Sequence, residues 1–114
     1  GKISTMSKVA LITGAGSGFG LGLTKELIAV GWVVYAADKN KAAAQATKEY
    51  GAVPLVMDVT KDIDVTKGVA KITKEQGQIS QNLSYQNSYK YLLSHYHQHK
   101  GPLTLVLLYH FQQP

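Results

Sequence analysis

No cysteine occurs in the 114 residues of the chain. Its absence rules out a disulfide framework and a thiolate-held metal, and it suits a reducing compartment, with the cytoplasm as the default expectation. Arginine is missing as well, because all 12 basic residues behind the net charge of +5 are lysines. Arginine is the side chain that pairs bidentately with phosphate and guanine, so no nucleic-acid partner is expected. Lys61, Lys67, Lys71 and Lys74 read as the solvated face of one helix rather than as a binding patch. Long apolar runs are also lacking. The longest, Leu103 to Tyr109, has the length of a strand and falls far short of the ~18 residues that span a bilayer, so no membrane partner is expected. Acidic residues stop at Glu75, whereas all four histidines and five of the seven tyrosines lie beyond it. Two regions with different histories are implied, residues 1–77 and a divergent tail, 78–114.

Glycine, by contrast, is concentrated. Residues 13 to 20 read Thr-Gly-Ala-Gly-Ser-Gly-Phe-Gly, after the apolar run Val9 to Ile12 and before the helix-period series Phe19, Leu23, Leu27, Val30. A strand running through glycines into a helix is the local design of a dinucleotide site. Gly14 permits the tight turn, Gly16 and Gly18 let backbone approach a pyrophosphate, and Gly20 lets helix and strand pack closely. The phosphates are expected on the helix N-terminus.

Strand and helix alternate through the first 77 residues. Val9–Thr13 is apolar without interruption, as in a parallel strand buried on both faces. A helix from Gly18 to Val30 closed by Gly31, a strand from Trp32 to Ala37, and an alanine-rich helix from Lys41 to Tyr50 capped by Asn40 come next. Val53–Met57 reads as the third strand, and Val65, Val69 and Ile72 mark a helix from Asp62 to Gln76. Three βα units in succession predict an α/β fold, a Rossmann-like doubly wound parallel sheet, here one truncated domain over 1–114. In the tail, a helix from Asn82 to about Lys100 precedes a fourth strand, Leu103–Tyr109. Without a neighbour on its second side the glycine-loop strand would leave an apolar edge, and Leu103–Tyr109, reached through a crossover helix, is placed to fill that slot. Gly1 to Thr5, ahead of Met6, reads as a non-native remnant without a function.

The spacing Thr-Gly-x-x-x-Gly-x-Gly resembles the short-chain dehydrogenase/reductase family, and residue types from Val9 to Val59 match that family in order and approximate spacing. The resemblance implies that Thr13 fixes the glycine turn and that Gly14, Gly16, Ser17, Gly18, Phe19 and Gly20 surround the diphosphate. Asp38, 18 residues after Gly20, stands where a carboxylate accepts hydrogen bonds from the adenosine ribose and repels a 2′-phosphate. With Ser17 rather than a basic residue before Gly18, NAD is favoured over NADP, although Lys39 softens the contrast. Asp58-Val59 is similar to the family's adenine-holding pair, Asp58 meeting the exocyclic amine and Val59 lining the pocket. Each aspartate alone also has a bland reading, Asp38 as a strand-end residue and Asp58 as a turn residue.

The resemblance fails where catalysis is expected. The family's Asn-Asn-Ala-Gly element has no counterpart in Gln78-Ile79-Ser80-Gln81-Asn82-Leu83. In the family a serine orients the carbonyl, a tyrosine exchanges the proton and a lysine lowers the tyrosine pKa. A Tyr-x-x-x-Lys does occur, Tyr96 to Lys100 with Ser84 upstream, but all three fall on one helical segment with no strand between, and chance accounts for the match. The tail therefore reads as a missing segment, or as a frame-shifted or spliced end, with the reaction centre lost or rebuilt. His95, His97 and His99 would align as zinc or nickel ligands on a strand but point apart on a helix, so no metal is expected. Tyr85, Tyr89 and Leu92 or Leu93 share helical spacing and read as a packing face.

The leading expectation is the NAD(H)-binding part of an oxidoreductase that passes hydride between an alcohol or carbonyl substrate and a nicotinamide. A methyltransferase-like domain for S-adenosylmethionine is the second, weakened because Ile12-Thr13 stands where those enzymes carry an acidic residue before the glycines. A non-catalytic nucleotide-binding or assembly module, forming a homo-oligomer through the tyrosine-rich helix, is the third.

Overall fold

The structure, a computed structural model, describes residues 6–79 and 106–112. Strand β1 (Met6–Thr13) is followed by α1 (Gly18–Ala29), β2 (Val33–Asp38), α2 (Lys41–Ala46) and a 3₁₀ turn (Thr47–Tyr50). Then come β3 (Val53–Val56), α3 (Asp62–Gln76), the short β4 (Gln78–Ile79) and β5 (Val106–Gln112). They form a five-stranded sheet in the order β3-β2-β1-β5-β4. β1, β2 and β3 run parallel, with Val9 opposite Val33 and Tyr35 opposite Val53.

Burial on both faces explains the unbroken apolar strands. Side chains alternate across the pleat, so Val9, Leu11, Tyr35 and Ala37 meet Val65, Val69 and Ile72 of α3 on one side. Ala10, Ile12, Val34 and Ala36 pack with Leu23, Leu27 and Ile28 of α1 on the other. Phe19 and Val30, read from the sequence as part of that α1 stripe, are instead 73% and 72% exposed. Phe19 sits in the first turn above the glycine loop, and Val30 is already past the last helical residue, so neither reaches the sheet.

Four further expectations change in detail. The helix read over Lys41–Tyr50 is divided: the buried Thr47 hydroxyl donates to the Ala44 carbonyl at 2.6 Å, and the chain tightens into the 3₁₀ turn before Gly51 reverses it at φ +92°. β3 ends at Val56, one residue early, while β2 takes in Asp38. The fourth strand lies beside β1 as expected, but begins three residues later, at Val106, and runs antiparallel, pairing Ile12 with Val106 and Met6 with Gln112. A right-handed crossover delivers a parallel strand, so that part of the expectation is corrected. β4 pairs antiparallel with the end of β5, Ile79 against Phe111. The helix expected over 82–100, with its tyrosine face and His95, His97 and His99, lies outside the described residues, as does Gly1–Thr5.

Tyr35 binds the sheet to the end of α3. Its buried hydroxyl donates to Glu75 Oε1 at 2.7 Å and accepts from Gln76 Nε2 at 3.0 Å. Burial, reinforced by the Glu75 carboxylate, pushes the phenol pKa up to about 12, and the Tyr35 hydroxyl in turn holds Glu75 below the usual carboxylate range. A phenol harder to ionise in the folded chain than in the unfolded one stabilises the fold fully below pH ~10, and that stabilisation is lost as pH rises toward about 12. Denaturant unfolding across this range is expected to show the alkaline loss in the native chain and a shallower one in Tyr35→Phe.

Candidate functional site

The carboxyl ends of β1, β2 and β3 lie side by side, and the segments leaving them are joined by backbone hydrogen bonds. The Ala15 amide donates to the Ala37 carbonyl at 3.0 Å, and the Met57 amide to the Asp38 carbonyl at 3.1 Å. The glycine loop, Asp38 and Asp58 are thereby held along one edge of the sheet, where ligands of open α/β folds gather.

In the loop, Gly14 and Gly18 adopt φ +61° and +57°, a region that side chains with a Cβ rarely enter. Gly16 and Gly20 are required for a different reason, which is space. A Cβ on Gly20 would collide with the Gly14 carbonyl oxygen, so the first turn of α1 rests directly on the loop backbone. A Cβ on Gly16 would stand 2.5 Å from Ala43 Cβ and 2.9 Å from Asp38 Oδ2. Gly16 therefore admits α2 and the Asp38 carboxylate to the loop, a role beyond the approach to phosphate inferred from the sequence.

Ser17 occupies the cap position of α1 in extended conformation, yet its side chain caps no helix amide. Amides of Gly18, Phe19 and Gly20 have no carbonyl one turn back within the helix, and no acidic side chain stands in the first turn. The result is a run of backbone donors at the positive end of a 12-residue helix. Thr13, the last residue of β1, is buried beneath it.

Asp38 spans the gap from β2 to this loop. Its Oδ2 accepts from the Gly16 amide at 3.1 Å and its Oδ1 from the Asn40 amide at 2.9 Å. At the neighbouring strand end, Asp58 Oδ1 accepts from the Thr60 hydroxyl at 2.6 Å and the Thr60 amide at 3.0 Å. The Thr60 hydroxyl, then its amide, hold the Asp58 carboxyl below the ordinary range, so it is ionised at neutral pH. The Asp58 amide donates to Asp64 Oδ2 at 3.1 Å, which fixes the turn into α3. Val59 is half-buried against the α3-side core. Thr13, the glycine loop, Phe19, Asp38, Asp58 and Val59 are thus brought to one edge. Ser84, Tyr96 and Lys100 lie outside the described residues.

Sequence reasoning identified Asn40 only as a cap and missed Ala43, Thr60 and Asp64. Alanine at 43 has no chemical signature, but Asp-x-Thr at 58–60 and the acidic first turn of α3 are signals of local bonding to backbone.

A glycine loop between a buried parallel strand and a helix, with a carboxylate from the next strand closing it, defines a nucleotide-binding α/β domain. The short chain dehydrogenase family matches residues 8–81, and the chain belongs to that family. Among solved structures it is similar to a 3-ketoacyl-(acyl-carrier-protein) reductase from Brucella melitensis complexed with NADH, at 40% identity and a TM-score of 0.56. That match covers 58% of this chain and 28% of the reductase, so the chain spans little more than a quarter of the length of the protein it resembles. No curated protein matches.

Two alanine substitutions separate the roles of the glycines in α1. Gly20→Ala is expected to cost about 1–3 kcal/mol, because backbone must move. Gly22→Ala meets nothing within 4 Å and is expected to stabilise by about 0.5–1 kcal/mol. Urea midpoints of the two variants measure the difference.

Proposed function

We propose that the chain is the NAD(H)-binding part of a short-chain oxidoreductase acting on an alcohol or carbonyl compound. The observation that carries this reading is the Asp38 carboxylate, held by one backbone donor on each oxygen against the glycine loop. A carboxylate offers about four lone-pair positions, so each oxygen keeps capacity for one further donor. The two hydroxyls of an adenosine ribose supply those donors. The first-turn amides of α1 and the Ser17 hydroxyl face the diphosphate, which the helix dipole favours. Asp58, one of whose oxygens is engaged by Thr60, accepts from the adenine amine with the other, and Val59 covers the ring. The 73% exposed Phe19 stands at the start of α1, where the chain beyond the diphosphate would pass.

NAD is preferred to NADP on the same geometry. A 2′-phosphate would bring a second anion against Asp38, and neither an arginine nor a basic residue at position 17 is available to offset the repulsion. When bound, the nicotinamide supplies hydride chemistry; the residues named here bind and orient the adenosine half. Support for the cofactor comes also from the Brucella reductase, which is complexed with NADH.

Calorimetric titration tests the reading. NADH is expected to bind, NADPH more weakly, and S-adenosylmethionine not at all. Asp38→Ala is expected to weaken NADH about ten- to a hundred-fold, the cost of losing charge-assisted hydrogen bonds, and to narrow the gap to NADPH. Absence of NADH binding to the native chain, or S-adenosylmethionine binding in its place, overturns the assignment.

A further inference from the structure

We infer that Asn40 is a positioning residue for the dinucleotide, acting through Asp38 and not through any contact of its own with the ligand. This rests on the nucleotide-site reading above. Three hydrogen bonds and one close approach form a closed ring. The Gly16 amide donates to Asp38 Oδ2 at 3.1 Å, and the Asn40 amide donates to Asp38 Oδ1 at 2.9 Å. The Asn40 side-chain oxygen accepts from the Ala43 amide at 2.9 Å, and Ala43 Cβ lies against the position that a Cβ of Gly16 would occupy.

Asn40 is the member that joins the two halves of this ring. Its backbone points back to the carboxylate while its side chain points forward into α2. The cap is important because α2 has six residues and no acidic side chain in its first turn. So short a helix is marginal alone, and its first-turn amides depend on the cap. Losing the cap frees the start of α2. The Asn40 amide then no longer stays on Oδ1, and Ala43 no longer confines the loop at Gly16. The carboxylate gains rotamers, and its alignment with two ribose hydroxyls has to be regained on binding, at an entropic cost.

Exposure of Asn40 fits this indirect role, because it keeps the substitution from disturbing either core cluster. Asn40→Ala removes the cap and keeps the backbone amide. Asn40→Ser restores a capping oxygen of different shape without adding charge beside Asp38.

The full chain and both variants would be titrated calorimetrically with NADH and with an NADH analogue whose adenosine ribose lacks both hydroxyls. Asn40→Ala is expected to weaken NADH about three- to ten-fold, within the range that a single cap spans, and Asn40→Ser to recover most of it. Binding of the dideoxy analogue, which has nothing for Asp38 to hold, is expected to change less than about two-fold. In the ligand-free chain the Gly16 amide is expected to exchange its hydrogen faster in Asn40→Ala and at the native rate in Asn40→Ser. Equal losses for both dinucleotides, or unchanged NADH affinity, would overturn the positioning role while leaving the nucleotide site standing. Failure of the native chain to bind NADH strikes the site itself.

Discussion

The bond from the Gly16 amide to the Asp38 carboxylate is the constraint on which the arrangement of the site depends. It joins residues 22 apart in sequence and belongs to neither helix nor sheet. Around it the permitted side-chain sizes narrow sharply. Position 16 admits no Cβ, position 43 sits in contact with it, and position 20 must be bare where α1 meets the Gly14 carbonyl. The carboxylate lies beside the glycine loop that leads into the N-terminus of α1, where backbone amides supply partial positive charge. The Gly16 amide that holds this anion lies two residues ahead of the first-turn amides of α1, so neighbouring stretches of one loop order the protein's own carboxylate and present donors to the edge of the sheet.

Much of this was legible because the physical demands are local. A strand buried on both faces must be apolar throughout, and a turn at φ near +60° calls for glycine; both appear in the order of residues from Val9 to Gly20. Asp38 ends β2 and Asp58 lies two residues past β3, positions legible in the sequence from the change from β-branched and aromatic residues to polar ones. What escaped depends on contacts between segments. The apolar period in α1 includes Phe19 and Val30, yet only tertiary placement reveals that the first lies over the loop and the second beyond the helix. Thr47 divides the expected second helix through a hydroxyl bond that composition does not announce.

The direction of β5 was the least accessible feature. An apolar strand pairs on either polarity, and its residues carry no sign of which was used. Tyr35 shows a related limit: as a strand former it is unremarkable, but its hydroxyl reaches Glu75 and Gln76, some 40 residues later, and ties the last turn of α3 to the sheet. Neither relation can be found from periodicity, because periodicity reports which face is buried and not what it is buried against.

Antiparallel pairing of β5 gives the sheet a polarity that bears on assembly. Val106 enters beside Ile12, next to the glycine loop, and Gln112 leaves beside Met6 at the opposite rim. A tether or fluorescent tag joined after Gln112 would therefore depart from the rim remote from Asp38, whereas an insertion just ahead of Val106 would emerge over the nucleotide edge. The two ends of one strand thus separate a neutral attachment point from an intrusive one.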